Sequence, residues 1–137
     1  MSLGFSKLGK SILIPVLVYC ILLTTGCSKS KDPFAPPPLP PLKLNAEVMV
    51  FGEKFTITNR DTFMWKDPQF IITSGGTSKF YRIATDDLEA GDRKVYSINK
   101  FVNASGEAYD NQNQPISAVF IQAKNEKGKE FGYMYYF

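Results

Sequence analysis

Short runs of alternating hydrophobic and polar residues recur from Leu44 to the end of the chain. Phe55 and Ile57 alternate with polar neighbours, and the aromatic residues near the end follow the same pattern. A period of two is typical of half-buried β-strands, and helical periodicity is hard to find in this region. We therefore predict seven strands, at 46–51, 54–58, 69–73, 79–83, 94–98, 116–123 and 131–136.

Turn-forming residues separate these strands at regular intervals. Seven short strands with regular turns predict an all-β fold, an antiparallel β-sandwich of immunoglobulin-like type. A small barrel is the alternative. The predicted turns are Asn59-Arg60-Asp61, Ser74-Gly75-Gly76, Ala90-Gly91-Asp92 and Glu126-Lys127-Gly128.

The N-terminal residues differ from the rest in their pattern. Residues 1–11 carry two lysines and no acid, and residues 12–23 form an unbroken apolar run. This run is shorter than the roughly 20 residues that cross a bilayer. A charged start, a short apolar centre and the small residues 24–26 predict a secretory signal peptide over residues 1–26. A buried core helix and an uncleaved membrane anchor are the alternatives.

The segment Leu23-Thr24-Thr25-Gly26-Cys27 resembles the lipobox of bacterial lipoproteins. The resemblance implies a diacylglyceryl thioether on Cys27, cleavage before that residue, and acylation of the new amino group with a fatty acid such as palmitate. Two or three chains anchor stably, because each buried methylene contributes about 0.8 kcal/mol. We therefore expect an extracytoplasmic, lipid-anchored protein of the cell membrane or outer membrane. Ser28 resembles the signal for release to an outer membrane.

The residues that follow Cys27 are rich in proline. Six of the nine prolines fall within residues 33–42, which predicts an extended polyproline II spacer of about 3.1 Å per residue. We expect residues 27–43 to be a stand-off stalk before a domain at 44–137. A ligand for a proline-recognition groove is the alternative. Cys20 leaves with the signal peptide, so Cys27 has no partner for an intramolecular disulfide.

Several core and turn positions of the predicted domain follow a definite order along the chain. These positions are Phe55-Thr-Ile-Thr-Asn59, Asp61, Phe63, Trp65, Leu88-Glu-Ala-Gly91-Asp92, Tyr96-Ser-Ile98, Phe101, Gly106 and Val119-Phe-Ile121. Their order resembles that of the small immunoglobulin-like modules of bacterial cell-envelope proteins. The resemblance covers about 80 residues, implies the fold, and says little about function because such folds host unrelated roles.

The formal charge of +3 is unevenly distributed along the chain. From Leu44 onward there are 11 lysines and arginines against 12 acids, a net charge of −1. Mixed signs with no basic patch argue against a nucleic-acid partner. We expect the membrane, through the lipid, and an envelope protein or glycan as partners.

The chain contains no histidine, which excludes Ser-His and Cys-His nucleophile systems and histidine-ligated zinc. We predict no catalytic residue, no cofactor and no metal site. Two acidic loops leave carboxylate-pair catalysis or calcium binding as alternatives to solvated loop charges. Their residues are Asp86, Asp87, Glu89 and Asp92 in one loop, and Asp110 with Asn111, Gln112 and Asn113 in the other.

Two aromatic groups are candidates for binding. Trp65 with Phe63 can form a platform, but a single tryptophan in so small a domain is predicted to belong to the core. The C-terminal run Tyr133-Met-Tyr-Tyr-Phe137 is too aromatic for every side chain to face inward. We predict Tyr133, Tyr135 and Tyr136 as a candidate binding surface; a covering strand or loop is the alternative.

Three functional hypotheses follow from these observations. The first is a lipid-anchored, non-catalytic interaction or structural module of the cell envelope, displayed on a short stalk. The second is an accessory subunit that holds a larger envelope complex at the membrane. The third is a small extracytoplasmic hydrolase, which the missing nucleophile–base pair disfavours.

Overall fold

The computed structural model describes residues 32–75 and 79–137. The predicted signal peptide, lipobox and lipidated Cys27 lie outside the described residues and stay predictions. Within those two ranges there is no α-helix, and no helix there is long and apolar enough to cross a membrane.

Seven strands and one 3-10 helix make up the regular structure of the described residues. All seven strands were predicted from the alternation of polar and apolar residues. The largest difference in bounds is at the third strand, which begins three residues earlier than expected. The elements are β1 (Ala46–Phe51), β2 (Lys54–Asn59), β3 (Lys66–Ser74), β4 (Phe80–Ile83), β5 (Arg93–Ser97), the 3-10 helix Ile98–Lys100, β6 (Ile116–Lys124) and β7 (Glu130–Tyr136).

The strands form two antiparallel sheets, with orders β1-β2-β5 and β4-β3-β6-β7. The core lies between them. Phe55 of β2 and Phe70 of β3 are fully buried, and their ring centroids are 6.4 Å apart. Ile57 on β2 and Ile121 on β6 belong to the same buried cluster. The all-β prediction and its antiparallel two-sheet arrangement are confirmed.

A bulge at Asp67-Pro68 explains why β3 begins earlier than its alternation indicates. The register to β6 shifts between Lys66 and Gln69, and proline has no N–H with which to join the ladder. Asp67 has a φ of 45°, which is uncommon for a non-glycine residue. Its N–H donates to Asp87 Oδ1 at 2.9 Å, so the acidic loop stabilises the bulge.

Asn59 and Trp65 close the end of the sandwich near Leu88, and both are fully buried. Asn59 Nδ2 lies 3.0 Å from the carbonyl oxygen of Leu88, and Asn59 Oδ1 accepts from the N–H of Asp61 at 2.9 Å. Trp65 Nε1 donates to Asp61 Oδ2 at 2.9 Å. The prediction that Trp65 belongs to the core is confirmed, and its polar atom is satisfied there.

The proline-rich segment lies against the outer face of the four-stranded sheet. We call residues 32–43 the strap. The Arg82 guanidinium on β4 lies 5.2 Å from the ring centroid of Phe34. On β6, Gln122 Nε2 is 3.3 Å from the carbonyl oxygens of both Pro37 and Pro38. The strap therefore contacts strands on both sides of the sheet centre.

The end of the strap contacts Gly132 on β7. The N–H of Gly132 donates to Leu42 O at 2.8 Å, and its carbonyl accepts from Leu44 N at 2.9 Å. A Cβ at position 132 would lie 2.7 Å from Pro40 Cδ and 3.1 Å from Leu39 Cδ2. Only glycine leaves room for this approach.

The sequence predicted that residues 33–42 stand clear of the domain, and this part of the stalk prediction is wrong. Proline content correctly excludes helix over these residues, but it does not determine where an extended segment lies. The amide of Gln122 and the missing side chain of Gly132 place it on the sheet. The predicted domain boundary at residue 44 stays a prediction.

Candidate functional site

In the first acidic loop, the carboxylate of Asp87 makes structural contacts, and the acidic residues of the loop do not form a common binding site. Asp87 accepts from Asp67 N–H at 2.9 Å, and its Oδ2 lies 3.1 Å from Lys66 Nζ. The backbone hydrogen bond from Asp67, followed by the one from Lys66, holds the pKa of Asp87 below its ordinary value. Asp86 and Asp92 are exposed.

The second acidic loop is organised by its own amides. Asp110 Oδ2 accepts from Asn113 Nδ2 at 2.6 Å, and Asp110 Oδ1 accepts from Gln112 N–H at 3.1 Å. These bonds, the one from Asn113 foremost, lower the pKa of Asp110. Within residues 32–75 and 79–137, no three acidic, cysteine or histidine residues are placed to hold a metal ion together.

An open cavity of about 230 Å³ lies between the strap and the sheet. Its lining includes the carboxylates of Asp67 and Glu130 and the ammonium group of Lys124, but no hydroxyl, thiol or imidazole group. The sequence alone does not indicate this cavity, because its walls form only when the strap is in place. The lining residues are Pro37, Pro40, Asp67, Gln69, Gln122, Ala123, Lys124, Glu130 and Phe131.

The C-terminal strand β7 forms one edge of the four-stranded sheet, where β6 is its only neighbouring strand within the described part of the chain. Its first half is anchored in the core. Phe131 packs against Phe63, with ring centroids 4.8 Å apart, and Tyr133 packs against the buried cluster. Burial, followed by the neighbouring Tyr135, raises the pKa of Tyr133.

The second half of β7 is exposed. The exposed fractions are 39% for Met134, 43% for Tyr135, 65% for Tyr136 and 54% for Phe137. Tyr135 and Phe137 form an edge-to-face pair with centroids 4.9 Å apart. The structure thus brings Tyr133, Tyr135 and Tyr136 together on one strand, with Tyr133 only half-buried. The surface also includes Met134 and Phe137, which the prediction left out although they belong to the same run.

On the side of β7 that faces away from β6, part of the backbone also has polar groups that no other segment of the described residues bonds. The N–H of Phe137 donates to Ser117 O at 3.0 Å, on the β6 side, whereas Gly132 bonds to the strap on the opposite side. Backbone polar groups alternate between the two sides of a strand. The N–H and C=O of Met134 and Tyr136 therefore point outward, and no other segment of the described chain bonds to them.

A second exposed apolar group lies on the three-stranded sheet. Met49 on β1 and Val95 on β5 flank Thr56 in the register, with exposed fractions of 41% and 55%. Phe51, at the β1–β2 hairpin, is 87% exposed. Both β1 and β5 are edge strands as well, but this group contains a single aromatic residue and lacks the aromatic density of β7.

Comparisons with known proteins identify no family. No protein-family model matches the chain, and no curated protein matches it. Among solved structures, the chain is similar to the archaellum periplasmic stator protein FlaG from Sulfolobus acidocaldarius. The identity is 10% and the TM-score 0.30, over 68% of this chain and 96% of that one. A likeness this weak carries no argument about function.

Proposed function

We propose that the protein is a lipid-anchored, non-catalytic interaction module of the bacterial cell envelope and that β7 is its contact surface. The observation that carries the proposal is the row of exposed side chains Met134–Phe137 at the end of an edge strand. No other segment of the described residues bonds to the outward N–H and C=O groups of Met134 and Tyr136. Exposed apolar groups concentrated at one place mark interaction sites on soluble domains. Tyrosine and methionine are enriched at such sites.

The fold and the N-terminal motif support the remaining parts of the proposal. The strand orders β1-β2-β5 and β4-β3-β6-β7 divide neighbouring strands between two sheets, which favours an immunoglobulin-like type. The lipobox motif that ends at Cys27 favours anchoring by lipid on the extracytoplasmic side of the cell membrane or outer membrane. Such a protein presents its domain to other envelope components without spanning the bilayer.

Site-specific photocrosslinking in membranes tests the contact surface. A photoreactive amino acid replaces Tyr136 on β7 in the full chain, and in a matched variant it replaces Lys127 in the exposed turn before β7. We expect irradiation to link a protein to position 136 and to leave position 127 unlinked. Equal yields at the two positions, or no adduct at 136, would contradict the proposed surface.

A further inference from the structure

We infer that the partner of β7 is β7 of a second copy of this chain, paired antiparallel about a two-fold axis. The inference rests on the proposed function, because it takes β7 as the contact surface. A two-fold interface uses the same patch on both subunits, so the patch has to complement itself. A self-complementary patch needs backbone groups and side chains on β7 that match those of a second β7 strand.

The free backbone groups define one register. Gly132 is already bonded to Leu42 and Leu44, so a second strand cannot extend over it without displacing the strap. Met134 and Tyr136 remain. Antiparallel pairing of Met134 with Tyr136 of the second copy, and the reverse, uses every free N–H and C=O of both residues. That arrangement forms four hydrogen bonds across the two-fold axis.

The same register matches the side chains. Tyr135 lies opposite Tyr135 of the second copy, Tyr133 lies opposite its Phe137, and Met134 lies opposite its Tyr136. Aromatic pairs directly across antiparallel strands are stabilising, whereas like charges there are destabilising. Residues 131–137 carry no charged side chain, so no charged side chain of one β7 strand opposes one of the other.

The other edges carry features that blunt pairing. Arg82 on β4 exchanges backbone bonds with Val102 at 2.9 and 3.0 Å. The edge strand β5 carries Arg93 and Lys94, and β1 carries Glu47. Charged residues and covering segments are the usual protection of edge strands. The exposed half of β7 carries no charged side chain, and no segment of the described residues covers it, which favours it as the self-pairing edge.

Cysteine cross-linking of the full chain in membranes tests the register. The pair at position 135 is not hydrogen-bonded, so its Cα atoms should be about 4.5 Å apart, within reach of a disulfide. Position 133 of one copy lies four residues along the strand from position 133 of the other, about 13 Å away. We expect Tyr135→Cys to yield disulfide-linked dimer well above the unsubstituted chain. Tyr133→Cys and Phe137→Cys should not cross-link alone but should do so when co-expressed.

A second pair of variants separates specific pairing from collision in the membrane. Met134→Pro, made in the Tyr135→Cys chain, removes an outward N–H without removing a bond to β6 and should abolish the cross-link. Met134→Leu should keep it. Equal cross-linking at positions 133, 135 and 137, or none above background at 135, overturns the inference. If position 135 fails while photocrosslinking at 136 captures a different protein, the proposed function stands and self-pairing does not.

Discussion

Asp61 bonds to three other residues, two through its carboxylate and one through its backbone N–H. Its Oδ2 accepts from Trp65 Nε1 at 2.9 Å and from Asn45 N–H at 3.1 Å. Its own N–H is held by Asn59. A buried indole N–H without a partner costs free energy, so this bond allows a fully buried tryptophan beside a turn. The Asn59 turn and the Trp65 side chain thus depend on each other.

Replacement of Trp65 by alanine should destabilise the domain strongly. The side chain is fully buried, and removal of a buried large aromatic costs about 3–5 kcal/mol. Small domains are stable by about 5–15 kcal/mol in total, so the variant should be close to unfolding. Chemical denaturation followed by circular dichroism measures the loss. Lys127→Ala, at an exposed turn, serves as the control, and a loss within about 0.5 kcal/mol for Trp65→Ala would contradict the core assignment.

Tyr109 should make the domain sensitive to alkali. Burial, with smaller effects of Tyr81 and Asp110, raises the pKa of Tyr109 to about 12, and its hydroxyl donates to Gln114 O at 2.5 Å. The unfolded chain releases this proton near pH 10. The neutral hydroxyl of Tyr109 therefore makes its whole contribution to the free energy of unfolding below about pH 10. This contribution is lost as the pH rises towards about 12.

The measurement is the free energy of unfolding across that pH window for the wild-type chain and for Tyr109→Phe. The phenylalanine variant should start lower, because it leaves Gln114 O without its donor, and should fall less steeply with pH. Other groups titrate in the same window, so the difference between the two slopes is the informative quantity. Parallel slopes would contradict the raised pKa.

At the scale of elements, the strands could be predicted because the alternation of polar and apolar residues is visible within the few residues of each strand. Trp65 could be assigned to the core for a different reason, because the single tryptophan of so small a domain is expected to be buried. The strap was not predictable in this way, since its position depends on Gln122 and Gly132, far away in the sequence. The exposure of Phe137 was also missed, because alternation sends it to the same side as Phe131.

Gly132→Ala should displace the end of the strap from β7. The new Cβ would lie 2.7 Å from Pro40 Cδ, and overpacking of this kind costs about 1–3 kcal/mol. Hydrogen exchange at Leu44, whose N–H donates to Gly132 O, should become faster. Adding Pro40→Gly removes the atom that clashes and should restore part of the protection. Unchanged exchange in Gly132→Ala would show that the strap does not depend on this contact.

At the scale of the whole molecule, the strap would change how far the domain can reach from the lipid that we propose on Cys27. With the strap on the sheet, five residues separate Cys27 from Asp32 at the start of the strap, and five residues span at most about 17 Å. If the strap leaves the sheet, the free chain extends to Leu44. Those 17 residues span about 50 Å in a polyproline-like conformation. The strap contacts would then determine whether β7 works close to the membrane or well above it.

This difference can be measured by energy transfer from a fluorophore in the turn at Lys127 to acceptor-labelled lipids. The wild-type chain should show high transfer, because a short tether holds the domain near the bilayer. Gly132→Ala should lower the transfer, and Gly132→Ala with Pro40→Gly should return it towards the wild-type value. Cys27→Ser provides the control, because it should release the chain from the membrane and abolish transfer. Equal transfer with and without Gly132→Ala would mean that strap docking does not limit the reach, and retained transfer in Cys27→Ser would refute anchoring through that cysteine.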